Sequence, residues 1–356
     1  MGGNALATVN VKSKRLKKED FDALTTKVIK VLNIAIKKAN EMGASIQDAP
    51  HEVKAYRQKD TFGDLDLLVD GELFNFVDYD QIMKMLGEEF NHPEPLPHKH
   101  KDKNDMVFSL GLPSDEKDVY FQLDLIASQK KYYGFHSSYL NWNDLGNLVG
   151  VVASSNGFLK YGHDGLVYQL RDGDNLFEQI VLTTDWNTAL DFFGYSKEDY
   201  YAGFDSLIDI YEYAASSRFF TPALYAFENR NHTQRTRDRK RPTYNGFLNW
   251  IEENNAKGVF EHKTPLNKEE WRIRVDEFFP WLKKAEEDAW DRYYRNKEFK
   301  KYFNGSALLQ YKPELQNVEI SNYLKSLRTV VDDLESFVIE HKEKAMLLLV
   351  ERKEAE

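Results

Sequence analysis

Residues 53–69 read Val53-Lys54-Ala55-Tyr56-Arg57-Gln58-Lys59-Asp60-Thr61-Phe62-Gly63-Asp64-Leu65-Asp66-Leu67-Leu68-Val69, and the two acids near the end of this stretch decide the fold. Side chains alternate along a strand, so Asp64 and Asp66 share one face while Leu65, Leu67 and Val69 fill the other. Two anions held together on a rigid strand repel each other unless a cation sits between them. Hard divalent ions take oxygen ligands, so the acidic face is either solvated surface or a metal site. The residues upstream favour the metal. Gly63 permits a tight turn into the strand, and Lys54, Arg57 and Lys59 place cations just before the acids. Carboxylates for ions beside basic groups for phosphates is the charge layout of a metal–nucleotide site.

Working outward, Phe21, Leu24, Val28, Val31, Leu32 and Ala35 recur at helical spacing and predict an amphipathic helix over 17–42, stopped at Gly43. The acidic strand is predicted over 64–69 and a helix over 78–90. Pro93, Pro95 and Pro97, followed by His98, Lys99, His100 and Lys101, predict an exposed loop; its histidine pair has the donors for a metal, and the pattern favours polar surface. Residues 107–112 and 119–126, joined by Pro113 to Asp118, predict a β-hairpin. In its second strand Val119, Phe121, Leu123 and Leu125 form the core face, while Tyr120, Gln122 and Asp124 share the other. Asp124 is therefore a third carboxylate inside an apolar strand. If the two strands are neighbours, three acids converge, the set that two ions about 3.5–4 Å apart require for in-line phosphoryl chemistry.

The composition narrows the classes. With 356 residues, 42% hydrophobic and 14% aromatic, the chain is long enough for two or three packed units and is not disordered. It has no cysteine, which excludes disulfides, thiolate nucleophiles and zinc–cysteine sites. Residues 1–18 hold no apolar run of the signal-peptide kind, and Ala345 to Val350 is too short to span a bilayer. The expectation is a soluble cytoplasmic protein with no membrane partner. Leu6 stands where a myristoylation signal behind Gly2 needs Ser or Thr. The net charge of −10 excludes a nonspecific nucleic-acid coat, whose affinity comes from phosphate neutralisation. One local exception is the run Arg230, His232, Arg235, Arg237, Arg239, Lys240 and Arg241, in which Asp238 is the lone acid. It is either a solvated charge run or a stripe for phosphates.

With these residues in view, the chain resembles the nucleotidyltransferase superfamily of DNA polymerase β, and most closely the family X polymerases. Their palm signature is Gly-Ser, two basic residues, then Gly-Asp-h-Asp-h, where h is apolar. Gly63-Asp64-Leu65-Asp66 matches the core without a gap, Arg57 falls on the phosphate-binding arginine and Asp124 on the third aspartate. Tyr132-Tyr133 resembles the family's Tyr-Tyr element. Tyr139-Leu140-Asn141-Trp142-Asn143-Asp144 resembles its Tyr-Phe-Thr-Gly-Ser-Asp nucleotide-pocket motif, with Asn147 on the following asparagine. Asn156-Gly157-Phe158 and Asp164-Gly165-Leu166 resemble the small subdomain that follows. The resemblance covers residues 50–170.

The resemblance implies an α+β fold, a palm of mixed or antiparallel sheet with helices followed by a mainly helical C-terminal region. It divides the chain into an N-terminal helix plus palm over 1–130, a nucleotide-pocket subdomain over 131–180 and a helical, acceptor-binding region over 181–356. It implies Asp64, Asp66 and Asp124 as catalytic ligands of two Mg2+ ions, with Mn2+ as a substitute. Lys54, Arg57, Lys59, Gly63, Tyr139, Asp144 and Asn147 are the implied nucleotide-binding residues. The implied reaction moves a nucleoside monophosphate from a (d)NTP to the 3′-OH of a nucleic acid and releases pyrophosphate; Arg230, Arg235, Arg237, Arg239, Lys240 and Arg241 are candidates for holding that acceptor.

Departures from the pattern widen the reading. The family's Gly-Ser is Val53-Lys54 here, and its pocket Phe and Gly are Leu140 and Trp142, so the family's preference for deoxy sugars does not carry over. Neither a helix-hairpin-helix signature nor a lyase-type N-terminal domain is expected, so template reading does not carry over either. An RNA or tRNA 3′-end nucleotidyltransferase, or a protein-modifying member of the superfamily, stands beside the polymerase. A nucleic-acid-binding protein with a retired palm is the alternative of another class. Beyond residue 169 the pattern is helical. Phe192, Phe193, Tyr200, Phe204, Leu207, Ile208 and Tyr211 are predicted as core rather than base-stacking platforms, and Trp271, Phe278, Phe279, Trp281 and Trp290 as the packing of a bundle.

Overall fold

The computed structural model describes residues 5–100, 106–152, 156–260 and 264–355. In chain order, a 3-10 turn at Leu6–Val9 leads to strands β1 (Lys12–Ser13) and β2 (Leu16–Lys17), then helix α1 (Lys18–Glu41). Strands β3 (His51–Glu52), β4 (Thr61–Phe62) and β5 (Asp64–Asp70) follow, then α2 (Tyr79–Glu89), β6 (His98–His100), β7 (Val107–Pro113) and β8 (Val119–Ser128). The fold is α+β, built on a mixed sheet in the order β3-β5-β8-β7-β6, with β1 paired in parallel to the start of β8.

The sequence pattern explains most of this. Helix α1 buries Phe21, Leu24, Val28, Val31, Leu32 and Ala35, the predicted stripe, against Leu65, Leu67, Val69, Leu110, Phe121 and Leu123 of the sheet. Helix α2 begins at a capping box in which Asp78 accepts from the main chain of Gln81 and the Gln81 side chain accepts from that of Asp78. Strands β7 and β8 form the predicted antiparallel hairpin, with Ser109 opposite Asp124. Strands β5 and β8 run parallel, so they need a crossover connection, which the chain supplies through α2, β6 and β7. One local expectation fails: His98 to His100 form an edge strand paired with β7, not an exposed loop. Main-chain pairing with the free edge of β7 outweighs the turn preference of the preceding prolines.

After β8 come α3 (Tyr133–Leu140), α4 (Leu145–Val151) and the three-stranded sheet of β9 (Leu159–Gly162), β10 (Gly165–Asp172) and β11 (Asn175–Thr183). Helices α5 (Trp186–Phe193), α6 (Lys197–Ala202), α7 (Leu207–Ser216), α8 (His232–Asp238), α9 (Pro242–Asn255) and α10 (Lys268–Phe278) precede a last group, α11 (Leu282–Tyr302), α12 (Gly305–Leu309), α13 (Val318–Leu327), α14 (Leu334–His341) and α15 (Ala345–Ala355). Contacts divide the chain into two compact units, Met1–Tyr168 with Val181–Arg274, and Gln169–Ile180 with Val275–Glu356. The helices expected as one region over 181–356 thus fall in both.

The first of these helices join the mixed-sheet unit because their aromatic residues find partners in it. Tyr200 donates its hydroxyl to the Ser138 carbonyl at 2.7 Å, Tyr225 to Leu148 at 2.9 Å and Tyr244 to Tyr225 at 2.7 Å. Phe192, Phe193, Tyr200, Phe204 and Tyr211 are buried as predicted, whereas Ile208 is exposed. The second unit has its own core of Tyr302, Phe303, Leu308, Leu327, Val338, Met346 and Leu349. Trp281 is not buried in a bundle; it precedes the first turn of α11, touches Phe279 edge-on and is 47% exposed. Among the described residues, no helix is long and apolar enough to cross a membrane.

Candidate metal centre and its cleft

The register of β5 on β8 places Asp66 beside Asp124 and Asp64 beside Gln122. Asp64 and Asp66 share a face by alternation, and pairing brings Asp124 to the same place. One carboxylate oxygen from each of the three lies within 4.8 Å of the others, and all three residues are half-buried. Burial, then the charges of Asp64 and Asp124, push the Asp66 carboxyl well above the usual carboxylate range, with Lys59 pulling the other way. Like charges gathered in a partly desolvated place are stabilised by a cation. The donors are all carboxylate oxygens on two adjacent strands, with no histidine or cysteine, which fits a hard divalent ion such as Mg2+ or Mn2+.

The triad opens into a cleft of about 330 Å3 lined also by Lys54, Lys59, Tyr139, Asp144, Asn147 and Arg241. This volume lies within the range of small-ligand sites. Five of the predicted nucleotide-binding residues therefore meet around the triad. The other two do not line the cleft. Gly63 is buried in the bend ahead of β5. Arg57 is turned onto the end of α6 and the residues after it, where it donates to the Ala202 carbonyl and to the Asp205 carboxylate at 2.7 Å. Phe21 and Thr243 line the cleft without having been expected there, and Asn143, from the predicted pocket motif, joins them. Phe21 stacks on Phe62 at 4.0 Å, and the Lys59 ammonium lies over Phe62 at 4.7 Å. Burial lowers the Lys59 pKa, and the nearby Asp64 opposes that shift.

The wall of the cleft is held by a turn whose sequence conceals its role. Trp142 donates its main-chain N–H to the Lys54 carbonyl at 2.6 Å, Asn141 Oδ1 accepts from the Lys54 N–H at 2.9 Å, and Asn143 Oδ1 accepts from the Tyr56 N–H at 3.3 Å. His51 Nε2 lies 3.0 Å from Asn141 Oδ1, which can only accept, so the ring nitrogen donates. Trp142 and Asn143 both have left-handed backbone, at φ 66 and 60, a conformation costly for tryptophan and held here by the bonds on either side. The Trp142 ring packs edge-on against Phe204. Gly203, at φ +77, permits this approach: a Cβ there would lie 2.6 Å from Trp142 and 2.7 Å from Arg57. Tyr133, from the Tyr-Tyr element, is structural, its hydroxyl lying between the Ala49 and Leu68 carbonyls.

The basic stretch is organised by its lone acid. Asp238 is fully buried and accepts from Arg230 at 3.1 Å and Arg237 at 3.0 Å, which makes the buried Arg230 a structural residue. Arg237 also donates to Asn147 Oδ1, and Arg241 donates to Asp144 in the cleft wall. Arg239 lies over the Phe227 ring; Arg239 and Lys240 are exposed and Arg235 is half-buried. The stretch thus splits into an ion-pair core around the buried Asp238, Arg241 in the cleft wall with Arg237 behind Asn147, and three further cations, Arg235, Arg239 and Lys240, outside the cleft.

Gln122 was legible as a member of the acidic face, but its function was missed: its side chain donates to both oxygens of Asp124. A larger, more apolar groove of about 800 Å3 between α2 and Pro93 to Leu96 contains none of these residues. Comparison with protein-family models finds no match to this chain, and comparison with curated proteins finds no similar sequence.

Proposed function

We propose that the protein is a metal-dependent nucleotidyltransferase with a polymerase β-like palm, transferring a nucleoside monophosphate from a nucleoside triphosphate to the 3′-OH of a nucleic acid. The observation that carries this reading is the convergence of Asp64, Asp66 and Asp124 in a cleft that also holds Lys54, Lys59 and Arg241. A carboxylate triad alone suits many cations; joined to three cationic side chains in one cavity, it suits a cation together with a polyphosphate.

Asp64, Asp66 and Asp124 would hold two Mg2+ ions. When bound, Mg2+ would lower the pKa of the attacking hydroxyl and neutralise the leaving phosphates. The acceptor 3′-oxygen bonds to the α-phosphorus, the bond from that phosphorus to the bridging oxygen breaks, and pyrophosphate leaves. Asp124 takes the hydroxyl proton. Lys54 and Lys59 bind the β and γ phosphates, where charge grows in the transition state. Tyr139, Asp144 and Asn147 border the sugar and base, with Arg241 holding Asp144 in place. Arg57 serves by anchoring the loop that carries both lysines. Arg235, Arg239 and Lys240 lie on the stretch that leads to Arg241, and this favours a polyanionic acceptor over a protein side chain.

The test is incubation of the full chain with Mg2+ and each labelled NTP or dNTP, with DNA, with tRNA and with no acceptor. Product with at least one mixture, and none from Asp66→Ala, is the expected result. No product from any mixture overturns the proposal.

A further inference from the structure

Gln122 lies on the acidic face of β8, two residues before Asp124, and is 2% exposed. Both ends of its amide are in use. Nε2 donates to the two oxygens of Asp124 at 3.0 and 2.9 Å, and Oε1 accepts from the main-chain N–H groups of Ala5 at 2.9 Å and Leu6 at 3.3 Å. These partners fix the amide's orientation, because a flipped amide would set its NH2 against two N–H donors and its oxygen against a carboxylate. The segment on the far side is itself anchored. Leu6 is fully buried, the Val11 N–H donates to the Leu6 carbonyl at 3.1 Å, and β1 pairs in parallel with Val119 and Tyr120 of the strand that carries Gln122. An unbroken run of hydrogen bonds therefore joins the main chain of the N-terminal segment to a carboxylate of the triad.

We infer that Gln122 is a positioning residue of the metal centre and that the N-terminal segment, acting through it, sets how tightly the centre holds its metal. The inference rests on the reading of the triad as a metal site. An aspartate whose two oxygens are gripped by one fixed amide cannot rotate about its last torsion, so its ligand oxygen is already aimed before an ion arrives. Outer partners of this kind orient the ligands that touch the ion. The coupling is reciprocal: if order at Ala5 and Leu6 tightens metal binding, metal binding must tighten Ala5 and Leu6.

The probe is Mn2+, titrated calorimetrically into the full chain and into three variants. Asp66→Ala tests the metal reading. Gln122→Met keeps the side chain's length while removing both its donor and its acceptor. Ala5→Pro removes one N–H with little backbone change, since Ala5 already has φ −65. Gln122→Met is expected to weaken Mn2+ binding by about 10- to 100-fold, and Ala5→Pro by a smaller factor. In the parent chain Mn2+ is expected to slow hydrogen–deuterium exchange at the Ala5 and Leu6 amides, and in Gln122→Met to leave Leu6 unchanged. Should Asp66→Ala lose Mn2+ while Gln122→Met and Ala5→Pro bind it like the parent, the inference is overturned and the metal reading stands. If Asp66→Ala binds Mn2+ as the parent does, the metal reading itself fails and the inference with it. Ala5→Pro retains a readout even if Gln122→Met does not fold.

Discussion

Asp66 and Asp238 are both acids withdrawn from water, and they are built in opposite ways. Asp238 is fully buried and receives charged hydrogen bonds from Arg230 and Arg237, so its charge is compensated and serves to hold the stretch 230–241 in shape. Asp66 is half-buried and faces two further carboxylates, so its surroundings raise its pKa. A buried charge with an opposite partner is architecture; like charges held together by a rigid sheet suit a cation from outside the chain.

Asp66→Asn should separate the two acids most. Transfer activity should fall by about three orders of magnitude, the scale of losing one electrostatic stabiliser, while the midpoint of thermal unfolding in EDTA should rise because a repulsion is gone. If Asp66→Asn were instead less stable and fully active, Asp66 would belong with Asp238. The converse substitution, Asp238→Ala, removes the buried carboxylate to which Arg230 and Arg237 both donate and should cost about 3–5 kcal/mol in urea unfolding. Activity should fall with the folded fraction, and a rise in KM for the folded molecules would report on Asn147, which Asp238 and Arg237 hold from behind.

A third test uses pH. His136 is buried, with Nδ1 3.0 Å from Ser128 Oγ, and burial and then His163 lower its pKa from 6.5 to about 4. The unfolded chain therefore takes up this proton first as pH falls. The stability that His136 contributes is complete above pH 6.5 and is lost as pH drops towards 4, by about 3 kcal/mol. The loss should shrink in His136→Gln, as read from urea midpoints at the two ends of this range. The smallest effect is expected at the junction of the two designs. Arg241→Ala removes the cation that joins the basic stretch to the cleft, and should raise KM for the nucleotide about tenfold with little change in kcat. A loss in kcat with unchanged KM would move Arg241 from binding into the chemistry.

What was legible in the sequence follows from short-range periodicity. Helix α1 ends within a residue of its predicted bounds because its apolar stripe and Gly43 are both local signals. The acidic face of β5 follows from alternation alone, and so does the placing of Gln122 with Asp124 on β8. Other features escaped because their causes are distant in sequence. Arg57 stands where a phosphate ligand is expected by spacing, yet it is captured by Asp205 and by a carbonyl beside Gly203, about 150 residues away. The split within 230–241 depends on burial of Asp238, and a charge run carries no sign of which member is inside. The partners of Gln122 beyond its own strand are the main-chain N–H groups of Ala5 and Leu6, and such groups, which every residue but proline has, are marked by no sequence pattern.

By itself, the sequence determined the elements and the chemistry of their faces: an apolar strand with two acids on one side, a second strand with a third, cations before the first and no cysteine anywhere. These are properties of neighbouring residues, fixed by the period of a strand or helix. Tertiary structure decided whether they meet. The parallel register of β5 on β8 sets Asp66 against Asp124, the fold of the helices after residue 181 brings Arg241 to the same cleft, and the N-terminal segment reaches Asp124 through one buried amide. Convergence of this kind is a matter of distance in space, and the free energy that enforces it lies in the core that packs α1 and α2 against the sheet.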